Sequence, residues 1–491
     1  MNKMKCFLSK KMLLAVVVLL SVGYVQAQEA KDIVLLTLDK ALEIALSENP
    51  TMKVAGQEIQ LKKEAKKEAY GGLFPEVSLT GSYSRTLKKQ TMVMDFGGES
   101  QTIQVGSDNS YNGGLNVSLP VFAPTLYKSI NLTKTDVELA VEKARSSKLD
   151  LVNQVTKAYY QLLLAQDSYK VLLQSYAQAE ANYEVVKAKY EQGTVSEYDK
   201  IRADVQVRSL KPSVVSAGNG VNLARLQLQV LMGMDTEVEI AADGNLKDYE
   251  MVMFRRQMES NQLNLNNNSD LKQLDLNADL LKKTLAVQRT NFMPTLAASF
   301  NYSYTSLNND FKMSHYKWFP YSTVGLSLSI PLFKASNFTK VKQTKIQMQQ
   351  LAENRTNVYR QLTMQATSYL DNMAASTEQV VSNKEGIVQA EKGRLIAQKR
   401  YEVGKGTILE LNDSEVALTQ AQLTYNQSIY DYLVAKADLD QVLGREEVTE
   451  GEFYQFNLSS CIRQQNSLTA QFVSFSLSNL ANIFYPPQFL Q

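Results

Sequence analysis

One histidine, His315, and two cysteines, Cys6 and Cys461, are all that this 491-residue chain offers for imidazole or thiolate chemistry. A zinc centre takes three or four such ligands, and general bases are most often histidines, so neither chemistry has a foundation here. The patterns G-x-S-x-G, H-E-x-x-H and C-x-x-C are absent. Gly404-Lys405-Gly406-Thr407 lacks the upstream glycine frame and the strand of a phosphate loop, and reads as a turn. His315 stands among Tyr316, Trp318 and Tyr321, a set that suits a membrane–water boundary. Lys62, Lys63, Lys66 and Lys67 alternate with Glu64 and Glu68 as a solvated helix face. Two acids remain. Glu410 and Asp413 are spaced i, i+3 and share one helical face. In a first helical turn such acids gain about 0.3–1 kcal/mol each from the macrodipole, which is reason enough for them to serve as caps.

The charge balance excludes another class. Lys+Arg is 52 against Asp+Glu 50, a formal +2 with no global pull on nucleic acid. Lys3, Lys5, Lys10 and Lys11 precede an apolar run, MLLAVVVLLSVGYV, and Val25-Gln26-Ala27 offers small residues before a cut. Residues 1–27 are therefore expected to be a signal peptide, which removes Cys6 and leaves no internal disulfide. No second apolar run of membrane-spanning length follows, so the membrane options are none or a β-barrel.

Proline and glycine define the elements. Between Pro124 and Gly193 neither occurs, and between Pro331 and Gly404 only Gly386 and Gly393 interrupt. Proline costs about 3 kcal/mol in a helix interior and glycine about 1, so these voids permit helices of great length. Val155, Tyr159, Leu162, Gln166, Tyr169, Leu173, Tyr176, Glu180, Tyr183, Lys187 and Tyr190 step by four and three, the ladder of a coiled-coil seam. Long helices are predicted at about 124–191 and 335–402. Each is followed by a turn, Gly193-Thr194 or Gly404-Lys405-Gly406, and a partner at 197–232 or 408–443. Pro212 is expected to kink or interrupt the first partner.

Strands of about ten residues alternate where the helices stop, at about 75–86, 112–122, 294–305 and 322–333. The halves correspond. Residues 49–75 match 268–294 at offset 219, LNVSLPVF matches LSLSIPLF at offset 211, and VLMG at 230–233 matches QVLG at 441–444. KYEQGT at 189–194 matches RYEVGKGT at 400–407, with Lys405-Gly406 read as an insertion. A period of about 211 residues reports two copies of a large unit rather than an array. In order these are a first repeat at 28–233, a linker at 234–267, a second repeat at 268–446 and a tail at 447–491. The tail is rich in Ser, Gln, Asn and Phe and is expected to be disordered or peripheral, with Cys461 a bystander thiol. Alternating runs of ten residues are the length of transmembrane strands, though a half-buried soluble sheet alternates likewise. Four strands cannot close a barrel, so a membrane reading demands several chains: two give eight strands, three give twelve.

The duplicated order, the Pro-flanked strands ending in LPVF and IPLF, and the YxxG turns resemble TolC-like outer-membrane efflux proteins over about 36–446. The resemblance implies an α+β membrane protein in which long antiparallel coiled-coil hairpins form an α-barrel. Four transmembrane β-strands per chain would complete a twelve-stranded β-barrel in a homotrimer. It also implies localisation in a Gram-negative outer membrane, reaching into the periplasm, with outer-membrane lipid around the barrel. The segment near 36–48 and residues 234–267 would form an equatorial belt. Its partners would be a periplasmic adaptor and an inner-membrane pump, with no nucleic acid, cofactor or catalysis. The adaptor would dock at Gly193, Thr194, Gly404 and Lys405. Glu410 and Asp413 would ring the periplasmic entrance, while Asp199 accepts a hydrogen bond from Tyr401 to hold it shut. The same architecture serves as the exit channel of type I protein secretion. A poreless periplasmic coiled-coil protein is the rival from another class, and the four amphipathic strands speak against it.

Overall fold

The computed structural model describes residues 34–96, 99–251, 253 and 263–445. The expected signal peptide and the tail lie outside the described residues, as does part of the linker.

Four long helices carry the architecture. Helix α3 (Pro124–Glu191) and helix α6 (Ala335–Glu402) each have 68 residues, roughly 100 Å at 1.5 Å per residue. Their partners α4 (Glu197–Met232) and α7 (Ile408–Leu443) each have 36. All four sets of boundaries fall where the glycine and proline map places them. Pro212 does not interrupt α4, which runs on through it. Proline forfeits one backbone hydrogen bond there, and the flanking turns hold the helix.

Two 22-residue helices, α2 (Pro50–Gly71) and α5 (Ser269–Thr290), extend these partners end to end. The joints are duplicated as the repeat requires. Asn49 caps α2 by accepting from Thr51 N and donates its amide to Leu231 O at 2.7 Å, in the last turn of α4. Asn268 caps α5 by accepting from Leu271 N and donates to Val442 O at 2.7 Å, in the last turn of α7. Gly233 and Gly444 end α4 and α7 at φ +70° and +64°. A side chain at either would strike the backbone at Glu48–Asn49 or Asn267, so these joints need glycine twice over. The helices form a layer in the order α4–α3–α7–α6, leaving α4 and α6 as its outer members.

At the far end lies an antiparallel sheet of β2 (Glu76–Arg85), β5 (Asn109–Phe122), β7 (Thr295–Asn308) and β8 (Phe319–Ser329), in that spatial order. β8 starts and stops about three residues earlier than the sequence suggests. Pro331 has no N–H for the ladder, so pairing ends at Ser329 with Thr295. A ribbon absent from the sequence reading, β3 (Gln90–Phe96) with β4 (Glu99–Val105), prolongs the first hairpin.

Midway along the helices sits the belt. Strand β1 (Val34–Leu36) pairs in parallel with β6 (Ile240–Ala242), helix α1 (Leu38–Glu48) follows β1, and a 3-10 turn spans Leu246–Tyr249. The main apolar core lies at this level. Val155, Tyr159, Leu162 and Leu163 of α3 pack with Leu228 and Met232 of α4, Ile429 and Tyr432 of α7, and Ala41 and Ala45 of α1.

Candidate functional site

The sheet has one apolar and one polar face. Register places Val77, Leu79, Leu115, Val117, Phe300, Tyr302, Val324 and Leu326 together on one side. Leu79 and Val324 are 83% and 81% exposed, on the two edge strands. The other side carries Ser78, Thr80, Asn112, Asn116, Ser299, Asn301, Ser303 and Thr323, with no charge among them. Asn116 donates to Thr80 Oγ1 at 2.8 Å, and Asn301 donates to Asn116, linking three strands across the polar face. Aromatic residues bracket the apolar face. Tyr83, Tyr111, Tyr316 and Trp318 cluster at the end away from the helices, while Phe292, Phe333 and Phe338 cluster at the near end. An apolar band between two aromatic girdles, backed by a polar interior, is the dress of a membrane barrel strand set. Among the described residues no helix is long and apolar enough to cross a membrane.

At the opposite end, two turns close the helical hairpins. Gly193 and Gly404 sit at φ +70° and +72°. Thr194 N donates to Lys189 O at 2.9 Å, and Lys405 N donates to Arg400 O at 2.8 Å, so the two turns share one hydrogen-bond pattern. This corrects the sequence alignment. Lys405 stands where Thr194 stands, Gly406 where Val195 stands, and N-cap Thr407 where N-cap Ser196 stands. Nothing is inserted, and the offset of 211 holds through the turn.

Asp199 and Glu410 are thus equivalent positions. Glu410 N donates to the N-cap oxygen Thr407 Oγ1 at 3.2 Å, and the Glu410 carboxylate lies 3.6 Å from Arg400. Asp413 is exposed on the same face of α7, whereas Leu411, Asn412 and Glu415 are buried. The expected Asp199–Tyr401 hydrogen bond is not formed. Asp199 Oδ2 accepts from Ser196 N at 3.2 Å and Ser196 Oγ at 2.8 Å, a capping box that consumes the carboxylate. Tyr401 Oη is buried without a partner, and Lys189 Nζ lies 4.6 Å from its ring centre. Burial, then the nearby Asp199 charge, raises the Tyr401 hydroxyl above its ordinary pKa. The capping box won because it is local, whereas the tie would span two hairpins.

Two polar groupings escaped the sequence reading. Glu415, 8% exposed, accepts from Asn182 Nδ2 of α3 at 3.3 Å and lies 3.8 Å from Arg394 of α6. Burial raises its pKa above the ordinary value against the pull of Asn182 and Arg394. In the belt, Glu250 accepts from Tyr425 Oη of α7 at 2.8 Å and from Lys384 Nζ of α6 at 2.7 Å. Burial pushes that carboxyl up, but these two donors outweigh it and hold it low. Among the described residues no cluster of His, Cys, Asp and Glu could hold a metal ion.

A sheet dressed for lipid, joined to long helical hairpins closed by matched turns, defines a membrane channel protein rather than an enzyme. The family described as outer membrane efflux protein matches residues 41–234 and 261–445, and the chain belongs to it. It is similar to the outer membrane protein TolC of Vibrio cholerae serotype O1, 21% identical over 391 residues, covering 78% of this chain and 84% of the relative. It is also similar to the cobalt-zinc-cadmium resistance protein CzcC of Cupriavidus metallidurans, 21% identical over 415 residues, covering 84% and 90%. The fold matches the CmeC outer membrane channel of Campylobacter jejuni with a TM-score of 0.65 at 18% identity, covering 88% of this chain and 89% of that one. The chain is an outer-membrane efflux channel.

Proposed function

We propose that three copies form an exit duct for small molecules, set in the outer membrane, reaching into the periplasm and joined there to an adaptor and an inner-membrane pump. The observation that carries this reading is the open sheet. β2 and β8 are paired on one side only, and in lipid each unpaired backbone group costs several kcal/mol, so the edges must meet those of other copies. The helical layer supports the same head-to-tail closure. Its outer members expose apolar residues, Ile201, Val205 and Val215 on α4 and Val381, Val388 and Leu395 on α6. Three copies give twelve strands, enough for a wet interior.

In this assembly Glu410 and Asp413 form a ring of carboxylates at the periplasmic entrance, and a narrow acidic ring concentrates cations. The test is conductance. Purified protein should run as a trimer in detergent and form cation-preferring pores in planar bilayers, and Glu410→Gln with Asp413→Asn should lower that preference. A monomer or dimer without pores overturns the duct. Altered thermal stability at unchanged selectivity makes the two acids caps only.

The turns at Gly193-Thr194 and Gly404-Lys405 are the adaptor contacts in this reading. Their equal length and shared hydrogen bonding offer the adaptor six near-equivalent tips per trimer. A side chain at φ near +70° is strained, at about 1–2 kcal/mol per residue. Gly193→Val with Gly404→Val should abolish export in cells while leaving the trimer and its bilayer conductance intact. Normal export by that variant rules the turns out as docking points.

A further inference from the structure

Beyond the strand ends farthest from the helices, the connections at 86–89 and 309–318 carry four lysines against one acid, Asp310. Lys89 lies 3.2 Å from Asp108 and donates to Asn309 Oδ1 at 3.1 Å. His315 Nδ1 lies 2.9 Å from Asp310 Oδ2, which holds that carboxyl below its ordinary pKa. Asp310 and the neighbouring Asp108, in the turn before β5, are therefore both engaged. Arg85 lies 5.1 Å from the Phe311 ring centre. Lys88, Lys312 and Lys317 are exposed, and none lies within salt-bridge distance of an acid among the described residues, although the Lys312 charge acts on Asp310 from farther off. The aromatic girdle adjoins them directly. Tyr111 packs on Tyr83, Tyr316 and Trp318 at centroid distances of 4.8, 5.0 and 6.5 Å, and Trp318 follows Lys317 in sequence.

Aromatic girdles sit at headgroup level, so lysines immediately beyond this one meet whatever the headgroups carry. An ammonium recognises phosphate as a point charge, and uncompensated phosphates are its best surface partner. We propose that Lys88, Lys312 and Lys317 form a collar that binds the phosphates of the outer-leaflet glycolipid, lipid A. A zwitterionic phospholipid answers the collar less well, because its own amine already balances its phosphate. Three copies place nine such lysines around the barrel. The collar rests on the outer-membrane trimer proposed above, and it assigns no role in conduction to these residues.

The test uses the full-chain protein in detergent, titrated with diphosphoryl lipid A, dephosphorylated lipid A, phosphatidylethanolamine and inorganic phosphate, with bound lipid read by native mass spectrometry. Diphosphoryl lipid A should bind the wild type about a hundredfold more tightly than the K88Q/K312Q/K317Q variant, about fivefold for each lysine removed from a charged surface. Dephosphorylated lipid A and phosphatidylethanolamine should bind both proteins weakly and alike. The variant should keep wild-type conductance in planar bilayers. Equal binding by variant and wild type, or equal binding of dephosphorylated lipid A, overturns the collar. Displacement of lipid A by millimolar inorganic phosphate overturns it in favour of a free-anion site. A wild type that conducts but shows no lipid A preference overturns the collar alone, whereas one that neither assembles nor conducts overturns the duct as well.

Discussion

Truncation of Tyr159 to alanine is expected to destabilise the protein by about 3–5 kcal/mol, the usual cost of removing a fully buried aromatic side chain. Tyr159 is 1% exposed at the centre of the main core. Its hydroxyl lies 3.1 Å from Leu36 O and 2.9 Å from Asp243 O, so one proton is shared between the two belt segments. Burial raises the hydroxyl well above the ordinary tyrosine pKa, which keeps it a donor at every physiological pH. Tyr159→Phe keeps the packing and loses the bond, at about 1–3 kcal/mol. The readout is belt release. Limited trypsin digestion should cut at Lys247 in Tyr159→Ala before any cut in the wild type, with Tyr159→Phe between them. An unaltered digestion pattern and melting temperature in Tyr159→Ala would show that the belt is held by something other than this residue.

Arg394→Met should be as damaging at neutral pH, at about 3–5 kcal/mol, because it strands a buried carboxylate. Glu415 would then keep only Asn182. The pH dependence gives the cause away. Burial already raises the Glu415 pKa in the folded state, and losing Arg394 raises it further. A carboxyl with a raised folded pKa contributes stability that is complete below its unfolded pKa and lost as pH rises through the folded one. The deficit of Arg394→Met should therefore be largest above the folded pKa of Glu415 and shrink on acidification. Thermal melts from pH 8 to pH 4 would show the variant and wild-type curves converging. Adding Glu415→Gln should recover most of the loss at pH 8. A deficit that is constant with pH would mean that Arg394 acts by packing alone.

The helical part of the molecule was readable because helix breakers act locally. Pro124, Gly193, Gly233, Gly404 and Gly444 mark ends that the structure places within a residue or two. Pro212 shows the limit, since a helix packed along its length survives one missing donor. The four sheet strands were legible from alternation, with errors where Pro331 forbids pairing and where β5 and β7 run on toward the distal loops. The ribbon had a signal, a Gly-Gly pair between alternating runs, that a search for membrane-length strands passes over. Three-residue strands such as β1 and β6 carry no period at all. Glu415 was detectable as an acid four residues after Leu411 and three before Leu418, on their apolar stripe. The Asp199–Tyr401 tie failed because residue types two hairpins apart say nothing about a nearer competitor, here Ser196.

The belt has a mechanical consequence. Tyr425 is tethered to Glu250, and Ile408, where α7 begins, lies 17 residues away. At 1.5 Å per residue that length is about 26 Å, and Glu415 couples it to Asn182 of α3 and Arg394 of α6, so the end of the layer acts as one stiff lever with its fulcrum at the tether. A swing of about 10° at the fulcrum carries the tip through about 4–5 Å, close to the rise of one helical turn. Small rotations at the waist thus become side-chain-sized displacements of Glu410 and Asp413, so leverage is built into the distance between tether and tip.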